Sequence, residues 1–246
     1  MPLRPASVRL RGFVHRREAQ VDASLSALLG VQAVTLFVAI PLGAQHPAAH
    51  LLLDACHLLF AAICVVALAR RRAVRAGLIA ALALLGVGPL AGDRAAGWAG
   101  LEPDQVHEAV ALTAFAFNAA VTALIARHVF APGRVTAHRV QGAVLLYLNV
   151  AGLCAIAFGV LLDHAPGALV AAGGAALPAR FAERSAALTY FSLSTLTTTG
   201  FGDVTPLHPL ARSLANLEAV FGQLFPATLL ARLVALHVQH TPPPAT

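Results

Sequence analysis

Charge is what this sequence has least of. Only 11% of its 246 residues are charged, while 58% are hydrophobic and mean hydropathy is +0.75. A soluble domain carries about 25% charged residues. Too few charges are present to coat a soluble globule of this size, which excludes a disordered chain and weighs against a cytosolic enzyme. Much of the surface must face something apolar, and a bilayer is that solvent. Lysine is absent, and all 17 basic residues are arginine. The net charge of +6 and pI near 10.5 do not imply nucleic acid, because the arginines fall in short clusters between apolar runs. Cysteine is scarce as well. Cys56, Cys64 and Cys154 sit singly inside apolar runs, a spacing that fits neither a disulfide framework nor a zinc site and suits small buried hydrophobes. G-x-S-x-G, H-E-x-x-H, a phosphate loop and paired intramembrane carboxylates are all missing, so no enzyme chemistry is indicated.

What is present is a series of apolar runs, at about 24–44, 50–69, 76–92, 106–130, 140–162 and 208–238. A spanning helix needs about 20 residues, and the third run is short. A moderately apolar stretch, 185–197, is too short to cross. These runs predict an all-α membrane protein with six transmembrane helices and a re-entrant segment. Residues 1–23 are basic and polar. The apolar run behind them is long and shows no small-residue cleavage site, so they read as a cytoplasmic N-terminus rather than a targeting peptide. Residues 24–130 then form a four-helix transmembrane domain, 131–139 a cytoplasmic linker, 140–238 a two-helix unit with the short stretch between its helices, and 239–246 a brief cytoplasmic tail too small to hold a regulatory domain.

The arginines orient this arrangement. With the N-terminus inside and six crossings, inside segments hold 13 arginines and outside segments 4, Arg94, Arg180, Arg184 and Arg212. Acids do the reverse. Asp93, Glu102, Asp104, Glu108, Asp163, Glu183 and Asp203 fall outside, and Glu18 and Asp22 inside. Both termini are expected in the cytoplasm.

The informative stretch lies between the last two runs. An aromatic pair, Tyr190-Phe191, opens it; a threonine-rich run through Ser194 and Thr197 follows; then come Thr198-Thr199-Gly200-Phe201-Gly202-Asp203 and Pro206. This resembles the pore segment of the potassium-channel superfamily, whose signature is T-x-G-Y/F-G-D at the end of a short pore helix. The close resemblance covers about residues 140–238; the first four runs match six-helix channels only in number and placement. It implies a homotetramer in the lipid bilayer that passes K+ down its gradient. The selectivity filter would be Thr198, Thr199, Gly200, Phe201 and Gly202. K+ would be held by the carbonyls of Thr198, Thr199, Gly200 and Phe201 and by the Thr198 hydroxyl.

The chemistry explains the residue types. A potassium ion must shed its water, and ring-forming carbonyls replace that shell. Aiming successive carbonyls at one axis needs φ > 0 at alternate positions, which glycine adopts freely. Supporting roles fall to Tyr190, Ser194, Thr197 and Asp203. In the family the acid after the filter bonds an aromatic donor on the pore helix, and by spacing that donor is Tyr190. Phe201 replaces the commoner tyrosine, Thr199 the commoner valine, and Ser194 stands where simple bacterial pores often have an acid. No cofactor is implied beyond the permeant ion, and no nucleic acid.

Gly222 and Pro226 mark a hinge or gate in the last helix, with small-residue packing as the alternative for Gly222. The fourth run holds one arginine, Arg127, at its cytoplasmic end, where a gating-charge ladder would need several. Strong voltage sensing is not expected. Asp54 and His57, one turn apart in the second run, are read either as a structural hydrogen bond between helices or as a sensing site, and Asn118 lies mid-way in the fourth run. A non-selective cation pore, and a subunit gated by pH or by a separate regulatory chain, remain the alternatives. Potassium-uptake subunits carry four degenerate one-glycine repeats in one chain, unlike the single two-glycine repeat here.

Overall fold

The computed structural model describes residues 23–46, 49–68, 71–83, 103–131 and 137–240. The expectations placed on residues 1–22, on Arg70, on 84–102 with Asp93, Arg94 and Glu102, on Arg134 and on 241–246 lie outside the described residues.

Helix α1 spans Ala23–Gln45. Its buried positions, Leu25, Leu28, Gln32, Thr35, Leu36, Ala39 and Gly43, fall one turn after another on one stripe. Val34, Phe37, Val38 and Leu42 point outward from the opposite side. A π-helical turn, Thr35–Ala39, interrupts α1 directly before Pro41. Proline lacks the N–H that would bond back one turn, and a widened turn absorbs the mismatch. Helix α2, His50–Ile63, runs into a second π-helical turn, Cys64–Leu68. Helix α3 covers 72–83. Helix α4, Pro103–Val129, buries Phe117, Val121, Ile125 and Val129, again one side at a spacing of four. Helix α5 is Ala137–His164.

Strand β1, Leu169–Ala171, a short 3-10 turn at Ala172–Gly174 and helix α6, Phe181–Leu196, then lead to strand β2, Val204–Pro206, and helix α7, Pro209–His240. The two strands pair antiparallel, Leu169 opposite Pro206 and Ala171 opposite Val204.

Among the described residues four helices are long and apolar enough to cross a membrane: Ala23–Gln45, Glu108–Val129, Ala137–His164 and Pro209–Ala231. The second run yields a shorter apolar helix, Leu51–Ala67. At 1.5 Å per residue it is about 25 Å long, a little short of a hydrocarbon core of about 30 Å. The third run is described only in its first half.

Two buried clusters organise the chain. One gathers α1, α2, α3, α4 and the first half of α5 around residues such as Leu28, Cys64, Val121 and Leu145, and takes in Phe225 from α7. The other joins the second half of α5 to α6, β2 and the start of α7, through Phe158, Leu188, Phe191, Val204 and Ala211. The C-terminal end of α1 also packs against α6. Large apolar side chains remain exposed on nearly every helix, among them Leu51, Val66, Leu112, Leu210 and Leu230. Helices with an apolar inner stripe and an equally apolar outer face suit a bilayer, not water.

A candidate ion-conducting pore loop

Helix α6 has 16 residues and is about 24 Å long, shorter than a hydrocarbon core of about 30 Å. Its first turn is polar. Arg180 pairs with Glu183 at 3.1 Å, and Arg184 reaches across to Asp163 at the end of α5 at 3.0 Å. Near the same end of α5, His164 meets Glu108 of α4 at 3.3 Å. The helix begins four residues before the apolar stretch expected from sequence, because these charged residues sit in its opening turn.

Its other end is built to stop. Thr197 caps it, and Thr198 turns the backbone left-handed at φ 56°. A β-branched residue rarely adopts that conformation, and holding it there costs about 1–3 kcal/mol. The chain stays non-helical through Thr199–Asp203, with Gly200 at φ 60° and Gly202 at φ 80°. Thr198, Gly200 and Gly202 therefore alternate with residues of ordinary φ.

Ser194 holds this segment from behind. Its carbonyl accepts the Thr199 N–H at 2.9 Å and the Gly200 N–H at 3.3 Å. Its hydroxyl oxygen accepts the Gly200 N–H at 3.1 Å and the Phe201 N–H at 3.4 Å. Among the described residues no peptide bond is cis, and in a trans peptide the C=O points opposite to the N–H of the next residue. Three successive amides turned toward Ser194 thus turn the carbonyls of Thr198, Thr199 and Gly200 to the opposite side. Such a row of oxygens has the chemistry to replace water around a cation. The Phe201 carbonyl belongs to the peptide of Gly202, whose N–H is not held by Ser194.

The remaining support residues fall around this strand. The Thr197 hydroxyl bonds the Leu193 carbonyl at 2.8 Å and lies 2.9 Å from the Thr199 hydroxyl. Tyr190 stacks on Phe201, with ring centroids 5.9 Å apart and planes 11° from parallel. Its hydroxyl lies near the Asp203 carboxylate, and Asp203 accepts the Val204 N–H at 3.1 Å. The strand leaving this loop is anchored by the β1–β2 ladder and by the Ala168 carbonyl, which accepts the Leu207 N–H at 2.8 Å. The ladder itself carried no sequence signal, since three-residue strands show no usable alternation.

The inner side is set by α7. An ideal Cβ on Gly222 would lie 1.8 Å from the Leu196 carbonyl oxygen. Glycine here lets α7 touch the backbone end of α6. The same Leu196 oxygen accepts the Tyr147 hydroxyl of α5 at 3.0 Å. Helix α7 runs on unbroken through Gly222 and Pro226, although Pro226 has no N–H to give to the Gly222 carbonyl. Gln223, the next residue, donates its amide to the Thr198 hydroxyl at 2.6 Å.

Glu218, one turn earlier, is 1% exposed. The Ser192 hydroxyl of α6 bonds it and also the Ala151 carbonyl of α5 at 2.7 Å; the Cys154 thiol lies beside it, and its Oε2 has no hydrogen-bond partner. Sequence reading passed over Glu218, Gln223 and Tyr147. The available signal was an acid or amide in the middle of an apolar run, which is rarely placed there without a task.

Asp54 and His57 lie on the exposed side of α2, away from this loop. Among the described residues neither forms the hydrogen bond between helices that one reading gave them. Polar bonding between helices is instead made by Asn149 of α5, which donates to the Thr122 hydroxyl of α4 at 2.6 Å; Asn118 bonds within α4 to the Ala114 carbonyl at 2.9 Å. Among the described residues no cluster of three or more His, Cys, Asp or Glu is arranged to hold a metal ion.

A protein-family model described as "Ion channel" matches residues 180–239, which are α6, the loop after it and nearly all of α7. The match supports an ion channel. It favours a multi-pass membrane protein of the channel class over an enzyme. No curated protein and no solved structure matches the chain.

Proposed function

We propose that four copies of this chain surround one axis and pass K+ passively across the membrane, with Thr198, Thr199, Gly200, Phe201 and Gly202 of each copy forming a quarter of the filter. The observation that carries the reading is the set of three consecutive amides drawn toward Ser194, which leaves three consecutive carbonyls facing the other way. A single copy presents one column of oxygens, and an ion stripped of water needs them all around it. Residues 197–203 are exposed in a single chain, and non-helical backbone at membrane depth is tolerated only when covered by protein or lining water. Neighbouring copies supply both. The C-terminal end of α6 adds its partial negative charge where a cation would wait.

In this reading Asp203 and Tyr190 brace the outer mouth, six spans place both termini in the cytoplasm of a bacterial inner membrane, and α4 with its lone Arg127 does not serve as a gating-charge ladder. The test is a reversal potential from the purified chain in a planar bilayer, with K+ on one side and Na+ on the other. Reversal near the potassium equilibrium potential is the expected result. Reversal near zero would mean a non-selective cation pore, and no current at any voltage would remove the reading.

A further inference from the structure

Directly under the filter, α7 does more than line the cavity. The Thr198 hydroxyl gives its single proton to the Thr197 carbonyl at 2.7 Å. One of its two lone pairs receives the Gln223 amide at 2.6 Å. A hydroxyl has one donor and two acceptor positions, so one lone pair is left, and its direction is fixed by the other two bonds. The bond to Gln223 also grips a residue whose backbone is in the costly left-handed region. Two further contacts fix Gln223 itself. Gly222 seats α7 against the Leu196 backbone, and Tyr147 holds the same Leu196 carbonyl from the other side.

We infer that Gln223 is a positioning residue for cation selection: its amide orients the Thr198 hydroxyl so that four such oxygens form the innermost cation site, and it ties that site to the inner helix. The inference rests on the filter reading above and names the residue on α7 that sets its inner end. Pro226 cannot bond back to the Gly222 carbonyl, so α7 is weakest in the turn that carries this amide. Movement of the lower part of α7 therefore reaches the filter through one side chain.

The experiment compares the full-length wild-type chain with Gln223→Leu in planar bilayers, using Ba2+ from the cytoplasmic side as the probe. Ba2+ is close to K+ in size and carries twice the charge, so its blocking concentration reports the strength of an oxygen ring. Loss of one oriented hydrogen bond per copy is expected to raise the half-blocking concentration at least about tenfold. Placed in a Thr198→Ala background, where the bond has no acceptor, the same substitution is expected to change block by less than about twofold. Gln223→Asn, one methylene short of Thr198, is expected to behave as Gln223→Leu does and replaces it if the leucine variant fails to assemble. Unchanged block in an assembled Gln223 variant, with K+-selective wild-type current, would overturn this inference alone. So would equal effects with and without the Thr198 hydroxyl. A wild-type chain that reverses near zero would overturn the filter reading, and this inference with it.

Discussion

Ser194 offers the loop after α6 two different acceptors, a backbone carbonyl and a side-chain hydroxyl, and alanine removes only the second. Thr199 keeps its bond to the carbonyl, while Gly200 loses the shorter of its two and Phe201 loses its only one from Ser194. At about 1 kcal/mol for each hydrogen bond, Ser194→Ala is expected to lower K+-over-Na+ permeability about tenfold, read as a shift in reversal potential, with little change in melting temperature. Gly222 answers to a different constraint. A methyl group there meets backbone, which cannot swing aside as a side chain does. Gly222→Ala is expected to cost more than the ~1–3 kcal/mol of ordinary overpacking, and to leave little intact assembly on size-exclusion chromatography after mild heating. A glycine that served only as a hinge would spare the assembly and alter gating alone.

Three helices meet at Glu218: the Ser192 hydroxyl of α6 has one proton, which it gives to the Ala151 carbonyl of α5, and so it accepts from the Glu218 carboxyl. Its neighbours there, a hydroxyl and a thiol, are neutral, and burying an unpaired charge is expensive. Glu218→Gln keeps the shape and the hydrogen bond and is expected to change stability by less than about 1 kcal/mol. Glu218→Ala strands Ser192 beside a cavity and is expected to cost about 2–4 kcal/mol, read by thermal melting in detergent. How much of this was legible from sequence depended on the length of each pattern. The helices carrying Phe117, Val121 and Ile125 or Leu145 and Phe158 were written in long apolar runs, and the turn into the filter in a glycine-bearing hexamer. Helix α6 was seen from residue 185 onward, since Glu183 and Arg184 made its first turn look like loop. The β1–β2 pairing was invisible because its partners lie 33 to 37 residues apart, Ala171 opposite Val204 and Leu169 opposite Pro206, with no local repeat. Gln223 and Glu218 could be noticed as polar residues in an apolar helix, but their partners, Thr198 and Ser192, become visible only when α6 and α7 are set side by side.

The whole chain presents apolar side chains outward on its long helices and, on one side, an uncovered strip of polar backbone from Thr197 to Asp203. Lipid satisfies the first and cannot satisfy the second. Chemical cross-linking of the purified protein in detergent is therefore expected to give a ladder that ends at four copies, and a ladder ending at two would leave the strip half covered and the filter assignment without a ring. Phe201, at 67% exposed, is expected to become protected from solvent in the same preparation.

The ties that shape the strip all lie within one chain. Ser194, Gln223, Tyr190 and the β1–β2 ladder bend and brace these residues before any second copy arrives. Fixing a residue's backbone costs about 1–2 kcal/mol of entropy, and here that ordering accompanies the folding of each subunit. In the proposed tetramer, association joins four finished walls instead of organising four loose loops, so the contact between copies has to supply only cohesion and not shape.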